Sequence, residues 1–155
     1  IISCVVILSG VLIWLTARDK KNLPEKKRRF NNRVAYVFIA ISLTMYPMTA
    51  AGFIAVKLGY SGMGFLYPFY FIGWLLLSLF FIFKKDNGFT TRTCLLLGSI
   101  LGLAIPLVNG FVTGNWFWKT LGPATMDFFV LDVFWLLLAG VTFWVYFRLS
   151  PKKKA

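Results

Sequence analysis

The sequence predicts an all-α membrane protein, and two observations lead to that fold class. Hydrophobic residues make up 59% of the 155 residues and charged residues only 14%, whereas soluble domains average about 45–50% and about 25%. The hydrophobic residues are grouped in five long runs, and most basic residues fall between them. Each run must be helical, because lipid offers no hydrogen-bond partner to open backbone groups. We therefore predict that residues 1–155 form a single bundle of five transmembrane helices.

The five predicted spans cover about residues 1–17, 34–56, 65–83, 93–113 and 124–147. Crossing the hydrocarbon takes about 20 residues, with a range of about 17–25, so every run is long enough and the first is the shortest. Basic residues follow the first run instead of preceding it, which is the reverse of a signal peptide. No Met opens the chain and Ile1 already lies in an apolar run. We therefore expect the sequence to be a fragment of a longer chain.

The distribution of the basic residues predicts the orientation of the bundle. Fifteen of the 17 Lys and Arg residues lie after spans one, three and five, and the other two, Lys57 and Lys119, lie in the remaining loops. Short loops rich in Lys and Arg stay in the cytoplasm. This places the amino end outside and the carboxyl end in the cytoplasm. Because the charges lie between apolar runs, the net charge of +12 predicts lipid and membrane helices as partners, and no nucleic acid.

Composition excludes several kinds of site. The chain has no His, which removes imidazole bases, His metal ligands and the usual haem ligand. Cys4 and Cys94 have no third cysteine beside them, so a zinc or iron–sulfur site is not expected. The orientation puts the two cysteines in opposite leaflets, too far apart for a disulfide. We therefore predict no catalytic, metal-binding or cofactor-binding residue in this chain.

Asp132 is the most informative single residue, because it lies about two helical turns into the fifth span. A carboxylate near the centre of a membrane helix costs about 2.5–3.5 kcal/mol, which the many large apolar residues of that span offset. It could be a proton or cation site, a polar link to another helix, or an interfacial carboxylate that reaches outer water. Asp127 is about 140° away around the helix, so the two carboxylates do not form a catalytic pair.

The fourth span is polar for a membrane helix and contains small residues at helical spacing. Its glycines predict close helix packing, because small residues at four-residue spacing let helices approach closely. They form two pairs, Gly98 with Gly102 and Gly110 with Gly114. We expect this span to pack against the fifth, with Asn109 or Thr113 donating a hydrogen bond to Asp132 in a polar cluster. Tight packing with no functional site is the alternative.

Two segments and the end of the chain are similar to a known family. The segment from Ser9 to Arg18 (SGVLIWLTAR) and the segment from Ile105 to Trp118 (IPLVNGFVTGNWFW) resemble membrane segments of the PepSY-associated transmembrane family. Asp132, followed by an apolar run and a basic tail, is similar to the end of that family. By this resemblance Asn109, Thr113, Gly114 and Asp132 match motif positions.

The resemblance implies the carboxy-terminal membrane part of a longer bacterial inner-membrane protein. Members are associated with iron acquisition, and some resemble haem-containing reductases of ferric siderophores. Their haem ligands are histidines, so no haem site carries over onto this chain, although the same resemblance allows haem in the intact protein. The amino-terminal part of that protein would carry the PepSY domains. An enzymatic role for this stretch is therefore left open.

Three functional hypotheses follow. The first is the membrane part of a PepSY-type protein that serves iron uptake. The second is a non-catalytic accessory subunit of a larger membrane complex, which would use the glycine face of span four for packing. The third is a small transporter with a water-accessible path to Asp132. Substrate, partner chains and oligomeric state do not follow from the residues.

Overall fold

The computed structural model describes residues 9–11, 13–14, 16–18, 24–114, 116 and 126–149, and within these ranges it contains helices and no strand. Four helices have defined bounds: α1 (Glu25–Lys57), α2 (Met63–Lys84), α3 (Asn87–Thr113) and α4 (Met126–Leu149). They correspond to the second to fifth predicted spans. Each is long and apolar enough to cross a membrane. The chain is therefore an all-helical protein compatible with a multi-pass membrane protein.

Most of the first predicted span, residues 1–17, lies outside the described residues. The described residues between 9 and 18 are helical. Cys4 also lies outside, while the Cys94 thiol is free and buried. The five-span count, the orientation of the termini and the absence of a disulfide to Cys4 therefore stay predictions.

Helix α1 begins nine residues before the predicted span, at a position fixed by Pro24. The Pro24 carbonyl accepts hydrogen bonds from the backbone N–H groups of Lys27 (2.9 Å) and Arg28 (3.2 Å). Lys, Arg and Glu are good helix formers, so the charged residues continue the apolar helix into the polar region. At the other end Gly59 has φ +96° and Tyr60 N–H donates to the Ala55 carbonyl at 3.0 Å. These contacts form a Schellman turn, which needs a left-handed residue after the helix.

The α2–α3 connection is two residues long and caps both helices. Lys85 is left-handed, with φ 54°, and ends α2. Asp86 starts α3 earlier than the predicted residue 93, because its Oδ1 accepts a hydrogen bond from Phe89 N–H at 3.0 Å. The two caps therefore fix where α2 ends and where α3 begins.

Helix α3 is the centre of the bundle. It packs against α1 and α4, whereas α2 contacts α1. The buried share of the most apolar window is 39% in α3 and 11% in α2. The outer helices therefore leave most of their apolar surface uncovered, and lipid is the environment that suits such a surface.

The interior of the bundle is made of small and polar side chains. Few large apolar residues are buried; examples are Phe81, Ile105 and Trp135. The buried polar residues are Asn31, Thr44, Ser78, Thr90, Ser99, Asn109 and Asp132. Membrane helices associate through small residues and interhelical hydrogen bonds, since lipid is as apolar as leucine. This distribution is typical of a membrane bundle and unlike that of a soluble core.

Candidate functional site

Asp132 is buried inside the bundle and hydrogen-bonded to α3. Its exposed fraction is 3%, although it lies only two turns from the start of α4. The Asn109 amide nitrogen Nδ2 donates to Asp132 Oδ2 at 2.9 Å. The structure therefore brings together two residues that the sequence singled out, and it joins the two helices that we expected to pack.

Lys57, the last residue of α1, completes a three-helix network. Its ammonium group donates to the Asn109 carbonyl oxygen Oδ1 at 2.9 Å, and Nζ lies 4.7 Å from the centroid of the Phe128 ring of α4. A cation in the last turn also suits the negative end of the helix dipole. Asn109 thus accepts from a cation with one end of its amide and donates to a carboxylate with the other.

The two charges fix the direction of the Asn109 amide. Reversing the amide would point the NH₂ group at the ammonium and the carbonyl at the carboxylate, which would make both contacts repulsive. The arrangement therefore specifies one rotamer and one register between α1, α3 and α4. Since an amide has no titratable proton, the geometry favours a fixed electrostatic link over proton transfer between Lys57 and Asp132.

Thr113 supports Asn109 from one turn further along α3. Its hydroxyl donates to the Asn109 backbone carbonyl at 2.6 Å and lies 3.3 Å from Asn109 Oδ1. Of the two donors considered for Asp132 from the sequence, Asn109 makes the bond and Thr113 contacts Asn109. Asp127, in the first turn of α4, is exposed and suits the positive end of that helix.

Gly98 and Gly102 lie where α3 meets its neighbours. A methyl group built on Gly98 would overlap the Tyr46 ring of α1, and one on Gly102 would lie 3.1 Å from the Ala139 methyl group of α4. The Tyr46 ring in turn stacks on the Trp135 indole of α4, with ring planes 8° apart. The absence of side chains at both glycines lets Tyr46 and Trp135 fill the space between the helices.

Gly110 and Gly114 lie towards the carboxyl end of α3, beyond Gly98 and Gly102. A methyl group on Gly110 would lie 2.9 Å from the Trp116 indole, so this glycine accommodates the chain that follows α3. Gly114 is left-handed, with φ +69°, and ends α3; no described atom lies near its absent Cβ. A glycine is needed there for its backbone conformation.

A second polar cluster joins the same three helices nearer the basic end of the bundle. The Thr142 hydroxyl of α4 lies 3.0 Å from the Tyr46 hydroxyl of α1 and 2.8 Å from the Ser99 hydroxyl of α3. Thr44 and Ser78 make a similar contact between α1 and α2, at 2.7 Å. These contacts link α1 to α2 and α4, and α4 to α3.

The sequence reasoning missed Lys57 as a member of the site. It counted this residue only as one of two cations on the side with few basic residues. Its position at the junction of an apolar run and a loop was the available signal. Which residue it would meet depended on how α1 and α3 pack.

The residues of this chain do not fit a histidine-ligated haem. The sequence has no His, and the described residues contain no group of three or more Cys, Asp or Glu that could hold a metal ion. The described site instead joins a partly buried ammonium group, a buried amide and a buried carboxylate.

Comparisons with protein-family models, curated proteins and solved structures found no match to this chain.

Proposed function

We propose that this chain is the membrane-embedded part of a PepSY-type bacterial inner-membrane protein and serves iron acquisition as its helical framework. It spans the membrane five times, with the amino end outside and the basic loops in the cytoplasm. The chemistry of iron uptake or reduction would then lie in other parts of the intact protein.

One observation carries the proposal. Asn109 belongs to the segment from Ile105 to Trp118, and Asp132 belongs to the apolar end of the chain; both match positions of the resemblance, and their side chains share a 2.9 Å hydrogen bond. Residues chosen from separate segments by sequence thus meet at one buried point. Because Asn109 and Asp132 bind each other, a chain with this helix packing is expected to contain both residue types.

The framework role is supported by the contacts that the buried polar side chains make between helices. The network of Lys57, Asn109 and Asp132 and the hydroxyl clusters around Thr142 and Thr44 all run from one helix to another. Interhelical hydrogen bonds in membranes contribute on average about 0.6 kcal/mol each and at most about 1.7. Several such bonds would define a stable packing, which is what a membrane anchor for further domains requires.

The iron role is tested in the source bacterium with the intact gene. A deletion strain should grow poorly with a ferric siderophore as the only iron source and normally with ferrous iron. Complementation with Asp132→Leu should lower the amount of protein in the membrane and lower growth in the same proportion. Asp127→Asn, which alters an exposed carboxylate on the same helix, is the matched control and should restore growth fully.

Two results would contradict the proposal. If the deletion strain grows as well as its parent on both iron sources, the role in iron acquisition is wrong. If Asp132→Leu accumulates to normal levels and yet abolishes growth, Asp132 acts in chemistry or transport and not in the framework.

The orientation is tested separately by thiol labelling of whole cells, in a background where Cys4 and Cys94 are replaced by Ser. Lys26→Cys should react with a membrane-impermeant maleimide only after the cells are lysed. Ser61→Cys, in the loop between α1 and α2, should react in intact cells. The opposite pattern would reverse the orientation that the charge distribution predicts.

A small transporter is the second candidate, and the observation in its favour is a carboxylate, Asp132, that lies buried within a membrane helix. Proteoliposomes containing the full protein and a pH-sensitive dye would reveal proton movement. Dependence of that movement on Asp132 would favour transport, and no movement above empty liposomes would favour the framework.

A further inference from the structure

The basic end of the bundle contains a cleft between the start of α1 and the end of α2. Its volume is about 430 Å³. The residues that line it are Arg29, Asn32, Arg33, Tyr36, Val37, Ile82 and Lys85. Three cations, an amide and a phenol thus surround one opening, and two aliphatic side chains form part of its wall.

The cations of this cleft are largely unneutralised. The single ion pair among the described residues joins Arg29 to Glu25 at 3.5 Å, and both side chains are highly exposed, so the pair contributes little. Asp86 follows Lys85 in the sequence, but it does not line the cleft. The cleft therefore presents net positive charge to any ligand that enters.

The three cations of the cleft come from defined positions on α1 and at the end of α2. Arg29 and Arg33 are four residues apart on α1 and share one helix face. Lys85 is the left-handed residue that ends α2. The preceding Lys84 points elsewhere, with its Nζ 5.4 Å from the centroid of the Phe89 ring. The cleft is consequently a feature of the α1–α2 junction and not of a flexible tail.

The wall of the cleft changes from charged to apolar along the helices. Ile82 packs against the core cluster of Ala40, Phe81 and Cys94, and Val37 is 39% exposed. Beyond them the outer surfaces of α1 and α2 are apolar for the length of a membrane span. A ligand that fits this gradient has a negative head and an apolar tail.

We propose that the α1–α2 cleft is a binding site for the headgroup of an anionic phospholipid. Arg29, Arg33 and Lys85 bind the phosphate oxygens, Tyr36 lies at the level of the glycerol, and an acyl chain follows Val37 and Ile82. Arginine suits this task because its planar fork donates two hydrogen bonds to a phosphate. The apolar wall selects a lipid over a free phosphate ion, which would gain nothing from it.

The proposal is tested by native mass spectrometry of the full protein in mixed micelles. The probe is phosphatidylglycerol, and phosphatidylcholine is the neutral-headgroup comparison. The wild-type protein should retain one phosphatidylglycerol and no phosphatidylcholine. Each cation near an anionic lipid contributes about fivefold in binding, so the triple variant R29Q/R33Q/K85Q should weaken retention on the order of a hundredfold.

A matched variant separates a defined site from general attraction between charges. The variant K26Q/K27Q/K84Q removes three cations from the same end of the bundle, none of which lines this cleft. It should keep its phosphatidylglycerol within about fivefold of the wild type. Without lipid, the two triple variants should have the same melting temperature. A loss of folding is then not mistaken for a loss of lipid binding.

Three results would overturn the proposal. Equal loss of lipid in both triple variants would indicate diffuse electrostatic attraction. Retention of phosphatidylcholine as strong as that of phosphatidylglycerol would show that the cations do not select the headgroup. Displacement of the lipid by millimolar inorganic phosphate would assign the cleft to a soluble anion.

Discussion

The network of Lys57, Asn109 and Asp132 makes a quantitative prediction about the pair of variants Asn109→Leu and Asp132→Leu. Asn109 makes two interhelical hydrogen bonds, to a cation and to a carboxylate, both at 2.9 Å, while Asp132 shares only the second. Hydrogen bonds to charged groups contribute about 1.5–3 kcal/mol in water-soluble proteins and at most about 1.7 in membranes. We take about 1.5 kcal/mol for each bond.

Asp132→Leu should therefore lower the free energy of unfolding by about 1.5 kcal/mol and Asn109→Leu by about 3. The double variant should be no less stable than Asn109→Leu alone, because the bond that Asp132 would lose is already gone. The expected coupling free energy is thus about 1.5 kcal/mol.

The assay is reversible unfolding of the purified protein in mixed micelles with increasing sodium dodecyl sulfate, followed by tryptophan fluorescence. The control is a second double variant that combines Ser78→Ala with Asp132→Leu. Ser78 lies in the α1–α2 contact with Thr44 and shares no partner with Asp132, so those two changes should add within about 0.5 kcal/mol. If the double variant Asn109→Leu/Asp132→Leu loses the full sum of the single effects, the two side chains are not coupled and the network is refuted.

Three further changes test other contacts in the same unfolding assay. Gly98→Ala should lower stability by about 1–3 kcal/mol, because the added methyl group overlaps the Tyr46 ring. Thr44→Val should cost about 0.6–1.7 kcal/mol by removing the buried bond to Ser78. Asp86→Ala should cost about 1 kcal/mol, because α3 loses the side chain that accepts from its first turn.

Each of these changes has a control that leaves the contact intact. Gly140→Ala has open space around the new methyl group and should be neutral or slightly stabilising. Asp86→Ser keeps an oxygen in place and should stay within about 0.5 kcal/mol of the wild type. Thr44→Ser keeps the hydroxyl but removes a fully buried methyl group, which costs about 0.5–1.5 kcal/mol. Thr44→Ser should therefore keep the coupling to Ser78→Ala that Thr44→Val loses. A Gly140→Ala variant as unstable as Gly98→Ala would show that the effect comes from the helix backbone and not from Tyr46.

The spans were predictable because each depends on a local property of the chain. A run of about 20 apolar residues must be helical in lipid whatever surrounds it. Six of the eight ends of the second to fifth predicted spans accordingly lie within two residues of the ends of α1 to α4. Helices α1 and α3 begin nine and six residues before the predicted spans. Hydropathy marks where a helix enters lipid, whereas Pro24 and Asp86 mark where it begins.

The candidate site was predictable only in part. Asp132 and Asn109 stood out because a carboxylate and an amide are costly in a membrane helix and need partners. Lys57 did not stand out, because a lysine at the end of a span is the normal consequence of topology. The separate roles of Gly110 and Gly114 were hidden as well, since the same spacing suits helix packing, a tryptophan contact or a helix end.

The amino-acid sequence by itself determined the all-helical class, the number of apolar segments and the positions at which a buried polar group would need a partner. These follow from the free energy of moving each side chain and peptide group from water to lipid, which is a property of the segment alone. The tertiary structure decided which partner each group found: Asn109 for Asp132, Lys57 for Asn109, and Tyr46 for the space at Gly98. That choice depends on the rotation and height of each helix against its neighbours, and only contacts between distant segments fix them.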